Sequence, residues 1–163
     1  MPTGNHPRPS LIRQSDGTVR ESTVLGDPGH LALPIDDRVV CAVGVSRFDP
    51  FLRLEFWEDA PDSAPGSHYT LAIGGPLRIV TATQEWSIDP RVGPDAAYLL
   101  LVTKKVARAF ASDDGGLEVE FSDGDRLVVP PFEYEPWHLE GEDGSLFVSD
   151  AGGGLSVWDA NET

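Results

Sequence analysis

Short alternations of apolar and polar residues, closed by Asp-Gly or Gly-Gly turns, run through the last third of this chain. They leave little room for anything but antiparallel strands. Leu117, Val119 and Phe121 alternate with Glu118 and Glu120, a period of two that puts apolar groups on one face and carboxylates on the other. Asp113-Asp114-Gly115-Gly116 precedes this run and Ser122-Asp123-Gly124-Asp125 follows it. Both suit tight hairpins, because Asp and Gly tolerate the positive φ such turns need. Leu127 and Val129 then return, and Trp137 and Leu139 alternate with His138 and Glu140. Glu142-Asp143-Gly144 turns the chain into Leu146 to Val148, and Gly152-Gly153-Gly154 leads to Leu155, Val157 and Trp158. This part reads as a meander of short antiparallel strands.

The same period appears upstream. Val39, Cys41, Val43 and Val45 form one alternating set, which makes Cys41 a small core residue, and Leu52, Leu54 and Phe56 form another, with Phe48-Asp49-Pro50 as the turn between them. After a loop over Ala60 to Ser67, Tyr69, Leu71 and Ile73 form a strand, Gly74-Gly75-Pro76 turns, and Leu77 and Ile79 begin the next. One helix is expected over about 94–104. Gly93-Pro94 opens it, Asp95 favours its N-terminal dipole, Ala96 to Val102 are good formers, and Lys104 and Lys105 suit its C-terminal end. Its buried stripe would be Leu99, Leu100 and Val102 or Thr103. A strand over Val106 to Ala111 follows.

The expected fold is therefore α+β: a mainly antiparallel sheet with one central helix packed on it. Residues 1–30, interrupted by Pro2, Pro7, Pro9 and Pro28, read as a loosely ordered arm with room for a short strand within Thr18 to Leu25. Residues 31–158 read as a single β-rich domain and 159–163 as a tail. Leu52-Arg53-Leu54-Glu55-Phe56 and Leu117-Glu118-Val119-Glu120-Phe121 echo one another. Two similar β-modules flanking the helix would explain this, and so would chance similarity between amphipathic strands.

Composition narrows the function classes. The 163 residues carry a formal net charge of −15, which opposes general nucleic-acid or anionic-membrane binding. From residue 113 onward there are 14 acidic residues and one basic residue, Arg126, so the charge is concentrated in the last third. A single Cys cannot build a disulfide framework within the chain. The longest apolar run, Ala96 to Val102, is seven residues, against about twenty for a membrane-spanning helix. The N-terminus has no basic start followed by an apolar stretch, so a cytoplasmic location is expected.

The stretch Leu117 to Trp158 resembles a family of small actinobacterial proteins. The resemblance rests on Leu117-Glu118-Val119-Glu120-Phe121, Ser122-Asp123-Gly124, Tyr134-Glu135-Pro136-Trp137 and Gly152-Gly153-Gly154-Leu155-Ser156-Val157-Trp158, and it extends back to about Leu33. That family is of unknown function, so the resemblance implies no catalytic residues. Similar small acidic proteins that sit beside toxin genes act as immunity proteins, and the resemblance implies that role only as a direction.

No cofactor or metal is expected. His6, His30, His68 and His138 have no zinc spacing, and Gly152-Gly153-Gly154 precedes a strand, so it lacks the helix that supports a phosphate loop. Turn chemistry accounts for Asp123, Asp125, Asp143 and Asp150 without calcium. The candidate binding residues are the carboxylates Glu118, Glu120, Glu135, Glu140, Glu142 and Asp143, which would crowd one face of the meander and await a basic protein partner. Trp57, pointing outward between Glu55 and Glu58, is a candidate anchor. An alternative reading is a small ligand-binding or hydrolase pocket near His138 and Glu140; a purely structural module is a third. The oligomeric state is open.

Overall fold

Residues 11–14, 19–21, 29–45, 51–58, 68–92 and 95–159 are described by the structure, a computed structural model. The expected turn at Phe48-Asp49-Pro50, the loop over Ala60 to Ser67, Gly93-Pro94, the tail from 160 and the rest of the N-terminal arm lie outside them.

Each alternating run folds as a strand because its apolar positions can share one interior. The first half of the chain supplies β4 (Arg38–Val45), β5 (Leu52–Glu58), β6 (Tyr69–Ile73), β7 (Leu77–Val80) and β8 (Glu85–Ile88). The second supplies β9 (Val106–Ser112), β10 (Leu117–Phe121), β11 (Arg126–Val129), β12 (Trp137–Gly141), β13 (Leu146–Ser149) and β14 (Leu155–Trp158). Three short strands come before them: β1 (Leu11–Gln14), β2 (Val19–Glu21) and β3 (His30–Ala32). The strand expected within Thr18 to Leu25 corresponds to β2.

Two sheets enclose one core. The first has the order β2-β1-β14-β13-β12-β6-β5-β4 and the second β3-β9-β10-β11-β7-β8. Among the described residues every strand pairing is antiparallel except that of β1 with β14. Inward residues of both sheets, among them Leu54, Leu71, Leu139, Ile79, Val119 and Leu127, are fully or almost fully buried in a single cluster. Each such side chain contributes about 1.5–3 kcal/mol relative to exposure.

The two halves are laid out alike. In the first, β4-β5-β6 forms a meander in the first sheet, and the chain then crosses so that β7 and β8 join the second. In the second half, β9-β10-β11 forms a meander in the second sheet, and the chain crosses so that β12, β13 and β14 join the first. Each half's crossing strand pairs with the last meander strand of the other half: Leu139 faces Leu71, and Ile79 faces Leu127. The echoing segments Leu52–Phe56 and Leu117–Phe121 are the middle strands of the two meanders. The crossings meet at one end, where the N–H groups of Gly74 and Gly75 both donate to the Pro136 carbonyl, at 2.9 and 3.1 Å.

The expected α+β class is overturned. Among the described residues the only helical segments are two 3-10 turns, Pro90–Val92 and Ala96–Leu101. Asp95 does cap the second, accepting the Ala97 N–H at 2.8 Å. The segment then stops because Val102 is extended and Thr103 takes φ 71°, outside the helical region. Six residues cannot sustain the 3.6 period, and the buried residues are Ala97, Tyr98 and Leu101 rather than the expected stripe. Leu99 and Leu100 are 71% and 41% exposed.

Cys41 also departs from its expected place. A β-bulge between Val40 and Ala42 breaks the alternation at this residue and leaves its thiol exposed. Among the described residues no helix is long and apolar enough to cross a membrane.

Candidate functional site

The carboxylates grouped in the sequence separate in space. Glu118 and Glu120 stand on the outer face of the second sheet, since Leu117, Val119 and Phe121 are buried beneath them. Glu140 leaves the outer face of the first sheet, because Trp137 and Leu139 take the inward positions of β12. The chain changes sheets between β11 and β12, so a single acidic side of the meander does not form.

The β10 carboxylates are also neutralised. Glu120 receives two hydrogen bonds from the Arg108 guanidinium, at 2.9 and 3.0 Å, and Glu118 receives one from Arg126 at 3.0 Å. Arg78 and Glu85 pair on the same face at 3.0 Å. A face alternating guanidinium and carboxylate has no net sign to steer a basic partner. At the far hairpin, Lys104 reaches both Asp123 and Asp125. Burial alone would push the Asp123 carboxyl up, but the Lys104 hydrogen bond, the Asp125 N–H and the Lys104 charge together hold it below its ordinary value.

The other candidates divide between the two ends of the first sheet. Asp143 sits in the β12–β13 turn, where its Oδ1 accepts the Ser145 hydroxyl at 2.6 Å and the Ser145 N–H at 2.9 Å. Those two bonds, helped by the Tyr69 hydroxyl, hold its carboxyl below the usual range. Glu142 is exposed and gives its N–H to the His68 carbonyl at 2.9 Å. Trp57 is 40% exposed, as its outward position requires, and stacks on the His68 ring with centroids 4.4 Å apart. Glu58, beside it, lies 3.7 Å from the Arg38 guanidinium. His138 meets Glu135, at 2.8 Å, and packs on Phe51; Glu140 is exposed two residues further along the strand.

A further group of acidic residues lies at the end of the sandwich where the sheets exchange strands. The β9–β10 turn, the crossing segment Pro130 to Pro136 and the β13–β14 turn pack together there. The Gly115 carbonyl accepts the Trp137 indole N–H at 2.9 Å and the Ser149 hydroxyl at 2.7 Å, and the Gly152 N–H donates to the Phe132 carbonyl at 3.0 Å. Gly152, Gly153 and Gly154 form the expected positive-φ turn. The crossing segment is thereby pinned at both ends, with Glu133, Tyr134 and Glu135 exposed along it. Tyr134 is 64% exposed, and its ring meets Phe132 edge-on at 5.9 Å.

Asp114, exposed, lines a cleft with Pro130 and Pro131, and Asp150 sits in the β13–β14 turn, accepting the Ser156 hydroxyl. The guanidinium at this end, Arg91, lies over the Phe132 ring and is held by Asp89 at 2.7 Å. That hydrogen bond keeps the Asp89 carboxyl below its ordinary value. The end is therefore acidic and aromatic. In the sequence it shows as Pro130-Pro131-Phe132-Glu133-Tyr134-Glu135-Pro136, between two alternating runs, with only Glu135 among the candidates above.

A model of a family of unknown function, DUF6188, matches residues 31–159. The chain belongs to that family. The match begins within β3 and ends just past β14, so the DUF6188 domain comprises both halves of the sandwich and leaves out β1 and β2. Comparison with curated proteins and with solved structures finds no match.

Two clefts of the DUF6188 domain lie at the same end. One of about 360 Å³ is lined by Pro76, Leu77, Arg78, Ser87, Asp89 and Pro130. A shallower one runs along Pro131, Phe132, Glu133 and Gly152. Neither is lined by His138 or Glu140.

Proposed function

We propose that the domain is a non-enzymatic protein-binding module that docks a basic protein partner at the acidic, aromatic end formed by Pro130 to Pro136 and its neighbouring turns. A toxin neutralised by an immunity-type protein is a partner of this chemistry. The observation that carries the reading is Tyr134, exposed between Glu133 and Glu135 on a segment whose ends are already fixed. Ordering costs little when the backbone is held before the partner arrives. An exposed tyrosine between two carboxylates offers an arginine- or lysine-rich surface both a ring face and opposite charge. Burying such an aromatic anchor in an interface is commonly worth about 2 kcal/mol or more.

The test is capture from lysate of the source cells at low and high salt, with three proteins compared. The wild type should retain a basic partner, less of it as salt rises. Glu133→Lys/Tyr134→Ala/Glu135→Lys should lose it. Glu118→Lys/Glu120→Lys should keep it, because those carboxylates already face Arg126 and Arg108. The opposite ranking of the two variants would refute the reading.

A further inference from the structure

The edge of the first sheet at β4 differs from the other edges. Strand β8 spans four residues and displays Glu85 and Ser87, and β3 and β2 span three each. Strand β4 spans eight residues. Its beginning is covered: the Val40 N–H donates to the Lys104 carbonyl at 2.9 Å, the Val40 carbonyl accepts the Thr103 N–H at 2.8 Å, and Val39 bridges to Lys105. Past Val40, no strand among the described residues pairs with this side of β4. The alternation of an antiparallel ladder, resumed after the bulge, turns the N–H and C=O of Val43 and Val45 toward the open side.

The side chains along this edge carry no charge from Val39 to Val45. Cys41 is exposed, Ala42, Val43 and Val45 are half-buried, and Gly44 has open space beside it. The apolar strip continues onto the 3-10 segment Ala96–Leu101, which packs on β4 and leaves Leu99 and Leu100 exposed. An open backbone row flanked by apolar groups is a template for another strand.

We propose that the occupant is a second copy of this chain, paired β4 to β4 in antiparallel about a two-fold axis near Gly44. Charge selects this occupant. A chain of net charge −15 repels its copy over most of its surface, and this strip lets two copies approach without opposing carboxylates. A basic partner finds no counter-charge on it. The strip is also self-complementary: Val43 meets Val45 on either side of a Gly44–Gly44 pair, and Leu99 and Leu100 of each copy can extend the contact.

The experiment uses the full chain. Sedimentation from micromolar to millimolar concentration should show a shift from one to two chains. The amides of Val43 and Val45 should exchange with deuterium more slowly as concentration rises. Gly44→Lys and Leu99→Lys, both at open positions, should each weaken the dimer roughly tenfold or more, with unchanged circular dichroism and melting. Three results would overturn the proposal: a monomer at millimolar concentration with fast exchange at both amides; a monomer whose amides are protected at every concentration, which would seat another part of the same chain on the edge; or a dimer indifferent to both substitutions.

Discussion

The clamp on the Gly115 carbonyl makes a quantitative demand. Two buried donors share this acceptor, the Trp137 indole N–H at 2.9 Å and the Ser149 hydroxyl at 2.7 Å, and both residues are fully buried. Ser149→Ala removes one bond but leaves the carbonyl partnered, so it should cost about 1 kcal/mol. Trp137→Phe removes the other bond and opens a cavity, for a total of about 2–3 kcal/mol. Each single variant leaves the acceptor satisfied. The double variant does not, and an orphaned buried carbonyl costs about 1–2 kcal/mol beyond the sum. Urea unfolding followed by far-UV circular dichroism, with equal slopes for all four proteins, measures the cycle. Additivity within about 0.5 kcal/mol would mean that water or a shifted backbone takes over the carbonyl, and the clamp would not hold the β9–β10 turn as described.

Three further outcomes follow from single positions. Gly115 and Gly124 have nearly the same φ, 94° and 91°, but a Cβ on Gly115 would lie 2.8 Å from the Gly154 carbonyl oxygen while one on Gly124 meets nothing within 4 Å. Gly124→Ala should cost about 1 kcal/mol, from backbone strain alone, and Gly115→Ala clearly more, as read by chemical denaturation. The Tyr98 hydroxyl is buried without a hydrogen-bond partner among the described residues, and burial, then the charges of Asp95 and Asp89, push its pKa up to about 12. Tyr98→Phe should therefore be neutral or stabilising in thermal unfolding. In the wild type, this group's contribution is complete below the unfolded value near pH 10 and is lost as pH rises toward 12. The carboxyls of Asp143 and Asp123 are held below their ordinary values, so their contribution is present above about pH 4 and is lost as pH falls through the folded values. Asp143→Asn should flatten the acid limb of the stability profile, and an unchanged limb would contradict the assignment.

Most strands were legible in the sequence because each buries one face, and a period of two survives in stretches as short as Leu117–Phe121. The central helix was misread for a related reason. Ala96 to Val102 is rich in helix formers, but a six-residue segment linking β8 to β9 of the second sheet buries only three residues, and propensity yields to that geometry. The exposure of Cys41 was hidden because a bulge leaves no mark in composition. The supposed acidic face failed on long-range grounds. Arg108 neutralises Glu120 from a neighbouring strand twelve positions away, and Pro130-Pro131 carries the chain to the other sheet, so side chains alternating in one register emerge on different surfaces. The exposed Tyr134 was visible as a residue, but its pinned backbone depends on Gly74, Gly75 and Gly152, which only the fold brings near.

The exchange of strands between the halves bears on how this domain could be cut or assembled. Each half lends its crossing strands to the other and has no closed interior of its own. Peptides ending and beginning near residue 93 should each be insoluble alone and regain the native spectrum only when refolded together. The same arrangement would let two intact chains trade halves at high concentration, giving an entangled pair that dilution separates slowly.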